Sequence, residues 1–261
     1  MNEGVSLLAA LVAVLAPLAL ATIRLVPATL MLPLFGGRAM PNNAKMPMLA
    51  VLALGAAPSL LDQRAPAALS AALVLAALRE IWLGILLALV ISTPFFAVEH
   101  AGRVLDQARG AGSSELTSAD GAGRGTPLSE LFRWTFGAAF VAAGGLRALL
   151  SCVAESFARH PVEPAPSAIA PMHASVALAT RWAAESLSAG LSLAGAGLLA
   201  LFAAESTIAV ASRVAPPIAQ SNVAAPARAL VVLLVLALVI HGMSDAGLAL
   251  ARRALEAARA L

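Results

Sequence analysis

For its length this chain has little charge: 12% of its 261 residues are charged, where an ordinary soluble domain carries roughly a quarter. That scarcity excludes a solvated surface of normal composition. Lysine is nearly absent, Lys45 standing alone among arginines, and the formal net charge is only +3. So mild and dispersed a balance does not suit a phosphate backbone, and nucleic acid is excluded as a partner. The one cysteine, Cys152, excludes an internal disulfide. Its neighbours Ser151 and Val153 offer no thiolate-stabilising cation, so it reads as a small packing residue. His100, His160 and His173 show no metal-ligand spacing with acids or with that cysteine. No glycine-rich loop ends in Lys-Ser or Lys-Thr to cradle a phosphate. Neither a metal nor a cofactor is expected.

What the chain has instead is apolar length, with 60% hydrophobic residues. Val5 to Ile23, Ile81 to Val98, Ser186 to Ala204 and Ala229 to Met243 each run without a formal charge, and a helix needs about 20 such residues to span hydrocarbon. Met46 to Leu61, Ala65 to Leu78 and Trp134 to Leu146 are charge-free but shorter, which suits buried, tilted or re-entrant helices as well as full spans. The expected count is five to seven. Leu- and Ala-rich runs without dyad alternation favour helices over a barrel, so the fold class is all-α, a polytopic helical membrane protein. Met1 to Gly4 is not basic and the run after it exceeds a signal-peptide core, so the first helix reads as retained.

Breakers punctuate the chain. Pro27, Pro33, Gly36, Gly37 and Pro41 make Arg24 to Asn43 an irregular connection. From Ala67 a helical pattern runs to Phe96, with Pro94 near its end. Leu128 to Phe157 reads as one helix entered through Thr126-Pro127, with Glu130 in its first turn, where an acid suits the helix dipole. Pro161 to Pro171 is an extended connector, Met172 to Arg213 is one long helical stretch or two, and Pro226 opens the last helix. No internal repeat or second domain stands out, and residues 1–261 are expected to form a single membrane domain. Arg252, Arg253 and Arg259 read either as a cytoplasmic basic tail over 252–261 or as a solvated helix end.

Charges within apolar surroundings need explanation, because an ionised group in hydrocarbon costs roughly 2.5 to 3.5 kcal/mol on insertion scales. Arg79-Glu80, Glu185, Glu205 and Arg213 are such cases, and each is expected to meet another helix, another chain or water. Arg181 and Glu185 can pair on one helical face. Glu99 and Arg103 stand four apart in the favourable acid-first order, and Asp106 and Arg109 continue at three-residue spacing. Gly110 can terminate the helical turn that they lace with charge. The polar stretch then runs on through Gly112, Gly121, Gly123, Arg124 and Gly125 to Pro127. It reads either as a solvated loop or as a constriction, since irregular backbone at membrane depth is tolerated where it lines a cavity or is buried in protein.

Ser192, in a small-residue stretch, and His241 on the last helix have the elements of an intramembrane serine protease. The alternative is that Ser192 bonds back to its own helix carbonyl. A secondary transporter would require inverted repeats and a midplane substrate site, and neither is seen.

Taken in order, several segments resemble the SctT/FliR family, the type III secretion export-gate component shared by injectisomes and flagella. Arg24 through Lys45, with Pro33, Phe35, Gly36 and Pro41, looks like its N-terminal signature. Arg79-Glu80 with Gly84 is similar to its basic-acid pair followed by glycine. Glu99, Gly102, Asp106, Gln107 and Gly110 match its polar segment, and Gly144-Gly145 and Glu155 to Phe157 with Pro161 match the next helix and its exit. Glu205, Arg213 to Pro216, and Pro226 with Arg228 fit its later elements. The chain departs from the pattern at Pro217, Ala219, Ser221 and Asn222, and after Asp120, where a proline commonly follows.

The resemblance implies a non-enzymatic, multi-pass subunit of the bacterial inner membrane. It would join five copies of an SctR/FliP-type partner and four of an SctS/FliQ-type partner in a cone-shaped gate, part of it displaced toward the periplasm. An SctU/FlhB-type switch protein would wrap the entrance, and unfolded proteins would be the cargo. It further implies that the stretch from Gly102 to about Gly125 is the plug that closes the channel. On this reading Glu99, Arg103 and Asp106 anchor one end of the plug, and Arg109 and Arg124 place charge toward the lumen. Arg24, Arg79, Glu80, Glu205, Arg213, Pro216, Pro226 and Arg228 would be structural or inter-subunit.

Overall fold

The computed structural model describes residues 18–27, 29–33, 47, 49, 71–110, 116–117, 124–161, 172–214 and 224–260. It is helical almost throughout: α1 (Leu18–Met31), α2 (Ala71–Ala108), α3 (Pro127–Ala142), α4 (Gly145–Arg159), α5 (Met172–Val214) and α6 (Ala224–Ala260). The only extended pairing among the described residues is a two-residue antiparallel ladder, β1 (Leu116–Thr117) with β2 (Arg124–Gly125), in which Leu116 faces Gly125 and Thr117 faces Arg124. It lies inside the polar stretch and leaves the all-α class intact.

Two helices are long and apolar enough to cross a membrane, within Leu73–Ala108 and Val176–Ala211, and they contain the charge-free runs 81–98 and 186–204. Among the described residues a third crossing requires α3 and α4, bent by 74°, to be counted together. The expected span 229–243 is helical within α6, most of 5–23 and nearly all of 46–61 lie outside the described residues, and 65–78 is described only from Ala71. The expected count of five to seven thus extends over residues outside those described.

Three boundaries differ from the sequence reading. Arg24 belongs to helix α1 rather than to an irregular connection. Helix α2 continues past Pro94 to Ala108: a proline removes one backbone donor, and neighbouring Ser and Thr side chains help such a helix hold together. Here Thr93 Oγ1 donates to the Leu89 carbonyl at 3.0 Å, one residue before the Val90 carbonyl that loses its helical donor at Pro94. The expected helix from Leu128 to Phe157 breaks at Ala143-Gly144, where Gly144 takes a left-handed φ of 78°, a conformation that costs glycine no Cβ clash. Helix α5, by contrast, is one unbroken element over Met172–Val214.

The chain divides into two compact units. One gathers Met1–Thr93, Val141–Ala183 and Ala251–Leu261, and buries Leu25, Leu32, Val90, Ile91, Cys152, Phe157 and Ala254. The residues read as a basic tail are here the last turns of α6. Arg259 donates to Ser151 Oγ at 3.0 Å, Cys152 Sγ lies 4.0 Å from the Leu255 carbonyl, and Arg252 and Arg253 are exposed. The other unit gathers Pro94–Phe140 and Ala184–Leu250. Its centre is an aromatic cluster in which Phe95 meets Phe136 at 4.9 Å and Phe140 at 5.1 Å between ring centroids, both edge-to-face. That geometry places positive ring edges on negative faces.

Candidate functional site

The second unit brings the two ends of the polar stretch together. Asp106, fully buried near the end of α2, accepts a hydrogen bond from the Leu128 backbone N–H at 2.7 Å through one carboxylate oxygen. Its other oxygen accepts from Arg109 Nε at 2.7 Å. Leu128 is in the first turn of α3, where N–H groups have no partner within the helix and the dipole favours an anion. A helix of this kind is ordinarily capped by the residue before it. Here Thr126 Oγ1 is buried without a hydrogen-bond partner among the described residues, and Asp106 caps the helix from another element.

Ser129 completes the junction. Its hydroxyl donates to the Thr126 carbonyl at 2.8 Å and accepts from the Thr126 N–H at 3.0 Å, the backward half of a capping box. Helix α2 approaches α3 so closely here that a Cβ on Gly102 would lie 2.5 Å from Ser129 Cα. Only glycine fits that approach. Beyond this neck, α2 ends as the spacing suggests: the Arg109 N–H bonds the Leu105 carbonyl at 3.1 Å, and Gly110 takes φ 79° with its N–H on the Gln107 carbonyl. Gly110 is exposed, and a side chain there would meet nothing within 4 Å.

Gly102 to Ala108 is helix, so the irregular part of the stretch assigned to the plug begins only at Arg109, and Arg109 pairs with Asp106 as their i,i+3 spacing suggests. Glu99 and Arg103 do pair, as i,i+4 partners on the outside of α2, and take no part in the neck; Gln107 is exposed. Arg124 is described by its backbone in β2 alone.

In the first unit, Arg24 and Glu80 form a buried ion pair at 2.5 Å, each 1% exposed. The guanidinium also donates to the Ser156 carbonyl at 3.0 Å and the His160 carbonyl at 2.7 Å, and stands 4.2 Å from the Phe157 ring centroid. These carbonyls belong to the exit of α4, the negative end of its dipole. Arg79 donates to the next one, Pro161, at 2.9 Å. The adjacent Arg79-Glu80 pair is thus split between two tasks: Glu80 neutralises Arg24, and Arg79 adds a second cation at the α4 terminus.

The remaining residues of interest are placed one by one. Pro33 is half-buried just after α1, Glu205 is half-buried on α5, Arg213 is exposed at the end of α5, and Pro226 is exposed on α6. Arg228 lies on the α6 backbone. Phe35, Gly36, Pro41, Lys45 and Pro216 lie outside the described residues. Ser192 is exposed and donates to the Ala189 carbonyl of its own helix at 2.8 Å.

Residues 15–253 match the family described as bacterial export proteins, family 1. The chain belongs to this family. Among curated relatives, it is 29% identical over 165 residues to the "Yop proteins translocation protein T" of Yersinia pestis and to that of Yersinia pseudotuberculosis serotype I (strain IP32953). The aligned region is 60% of this export-family chain and 60% of each relative, so the chain spans about three-fifths of the length of the relatives it matches.

Sequence reasoning found the local pairs of Glu99 with Arg103 and Asp106 with Arg109 but not the distant partners of Arg24, Arg79 and Asp106. Leu128 contributes only its backbone N–H, and Ser156, His160 and Pro161 contribute carbonyl oxygens, so side-chain chemistry carries no mark of them. The one available signal was Thr126-Pro127 opening a helix, which points to a cap position without saying what fills it.

Proposed function

We propose that this chain is a subunit of a type III secretion export gate in the bacterial inner membrane, where it forms part of the protein-conducting channel as a single gate domain. The loop that leaves α2 at Arg109 and enters α3 at Thr126 acts as the plug. Family membership supports the secretion role, and the Asp106 neck carries the plug assignment. A loop whose two ends are fixed to one buried carboxylate can be displaced without unravelling the helices that hold it. Residues 109–126 are rich in glycine and polar side chains, with Leu116 the one large apolar residue, a composition that suits a small free-energy gap between closed and open.

In this reading five SctR/FliP-type and four SctS/FliQ-type subunits surround the chain, and an SctU/FlhB-type protein sits at the entrance. The weakly buried α5, with 22% of its apolar window covered against 67% in α2, is consistent with a subunit completed by neighbours. Unfolded cargo displaces the plug, and the driving energy comes from elsewhere in the machine. The subunit itself turns nothing over. The hydroxyl of Ser192, bonded to its own helix, favours the structural over the proteolytic reading of that residue.

Deleting Gly110 to Gly125 in bacteria that make the whole apparatus tests the assignment. The complex should still be recovered by affinity purification and native mass spectrometry, and the cells should admit a small membrane-impermeant dye. Unchanged dye entry with an intact complex would remove the plug from the proposal.

A further inference from the structure

We propose that one face of α2, the row Glu99, Arg103 and Gln107, lines the aqueous passage through which unfolded cargo travels. The inference rests on the channel reading above and adds which described side chains the cargo passes. Rows of residues four apart on α2 have different neighbours, all of them within the second unit. Ala97, Ala101 and Leu105 are buried against α5: a Cβ on Gly190 would lie 2.9 Å from the Ala97 carbonyl oxygen and 3.6 Å from the Ala101 nitrogen, and one on Gly197 would lie 2.6 Å from Leu105 Cδ2. Gly102 and Asp106 face α3. The row of Glu99, Arg103 and Gln107 meets neither helix, and Arg103 and Gln107 are exposed.

The α5 contacts also set the depth of this row. Gly190 meets α2 at Ala97 and Ala101 and Gly197 meets it at Leu105, so the two helices advance in the same direction and Arg103 lies alongside the stretch between the two glycines. That stretch is the middle of the charge-free run Ser186 to Ala204, within a candidate membrane span. At the same level α5 turns Leu191 and Leu199 outward, 59% and 73% exposed. Arg103 is 46% exposed and pairs with Glu99 beside it. Lipid over an ionised guanidinium at that depth is strongly disfavoured, and such residues ordinarily face a water-filled space or other protein. The row is the wet side of this unit at a level where α5 is its dry side. Its chemistry suits a moving polypeptide, because Glu99 and Arg103 satisfy each other and Gln107 adds only a neutral amide. Such a surface hydrates a passing chain and grips no particular sequence.

Single cysteines on a Cys152→Ala background test this in membrane vesicles from cells that make the whole apparatus, with a charged, membrane-impermeant thiol reagent applied to either side. In complexes that native mass spectrometry shows to be intact, Arg103→Cys and Gln107→Cys should be modified, and Leu191→Cys and Leu199→Cys should not. Cargo stalled in transit by a folded domain at its trailing end should abolish modification at both row positions. Modification that stalled cargo leaves unchanged would put the row on an aqueous surface outside the passage, and no modification in an intact complex would mean that a neighbouring subunit covers it. Either result overturns the inference while the channel reading stands. If cells that lack this chain export cargo normally, the channel reading itself fails.

Discussion

Two buried charges, Arg24 and Asp106, do mirror-image work at opposite kinds of helix end. Arg24 sits at the C-terminus of α4, donating to carbonyls that have no partner within the helix. Asp106 sits at the N-terminus of α3 and accepts from an N–H in the same condition. Both exploit the unsatisfied groups and partial charges that every helix exposes at its ends. They differ in what lies beyond. Around Arg24 the next groups, Glu80, Phe157 and Arg79, close the site with further contacts. Around Asp106 the chain leaves immediately through an exposed glycine. One arrangement locks three segments together, and the other joins two helices at the base of the polar stretch. The same physical device thus closes a three-segment site in one unit and pins the start of a helix to a distant carboxylate in the other.

The contrast can be broken most forcefully at its rigid end. Arg24→Ala leaves Glu80 as an uncompensated buried charge and strips the α4 terminus of its donor. The expected loss is about 3 to 5 kcal/mol, seen as a large fall in thermal stability of the detergent-purified protein or complex. Glu80→Gln should cost less than Glu80→Ala, since an amide oxygen can still accept from the guanidinium. Next in size is Gly102→Val, whose Cβ would collide with the Ser129 backbone and push α3 off the neck. About 1 to 3 kcal/mol is expected for such overpacking, with dye leakage as a second readout.

Smaller effects sharpen the other side. Gly110→Ala meets no neighbour, so only the left-handed backbone resists it, at about 1 to 2 kcal/mol. Thermal stability of the purified protein or complex should fall by no more than that, and a larger loss would mean that the turn at Gly110 supports more than its own backbone. Arg103→Gln removes the exposed pair with Glu99. Such i,i+4 pairs contribute about 0.3 to 0.5 kcal/mol, so thermal stability should stay near wild type.

How much was legible beforehand varies with the range of the interaction. The i,i+4 pairing of Glu99 with Arg103 and the i,i+3 pairing of Asp106 with Arg109 follow from helical spacing, and both are present. The glycine stop at Gly110 follows from the same local rules. The break at Gly144 was missed because the apolar pattern continues through it, and Pro94 looked like a boundary because local propensity says nothing about what supports a helix from outside. Arg24 was placed in a connection because the prolines following it are stronger local signals than the helix preceding them.

By itself, the sequence determined that this is an apolar, charge-poor helical chain, and that a polar, glycine-rich stretch interrupts it. The order of its motifs pointed to the export family to which it belongs. The helical class and the interruption follow from composition, periodicity and spacing, which act over one or two helical turns, whereas the family came from resemblance. Only the tertiary structure decided that Asp106 caps a helix it does not precede, that Arg24 closes the exit of α4, and that Arg79 and Glu80 take separate tasks. Backbone N–H and C=O groups are the same at every residue, so which ones a buried charge will satisfy is set by the packing that brings a distant helix end to it.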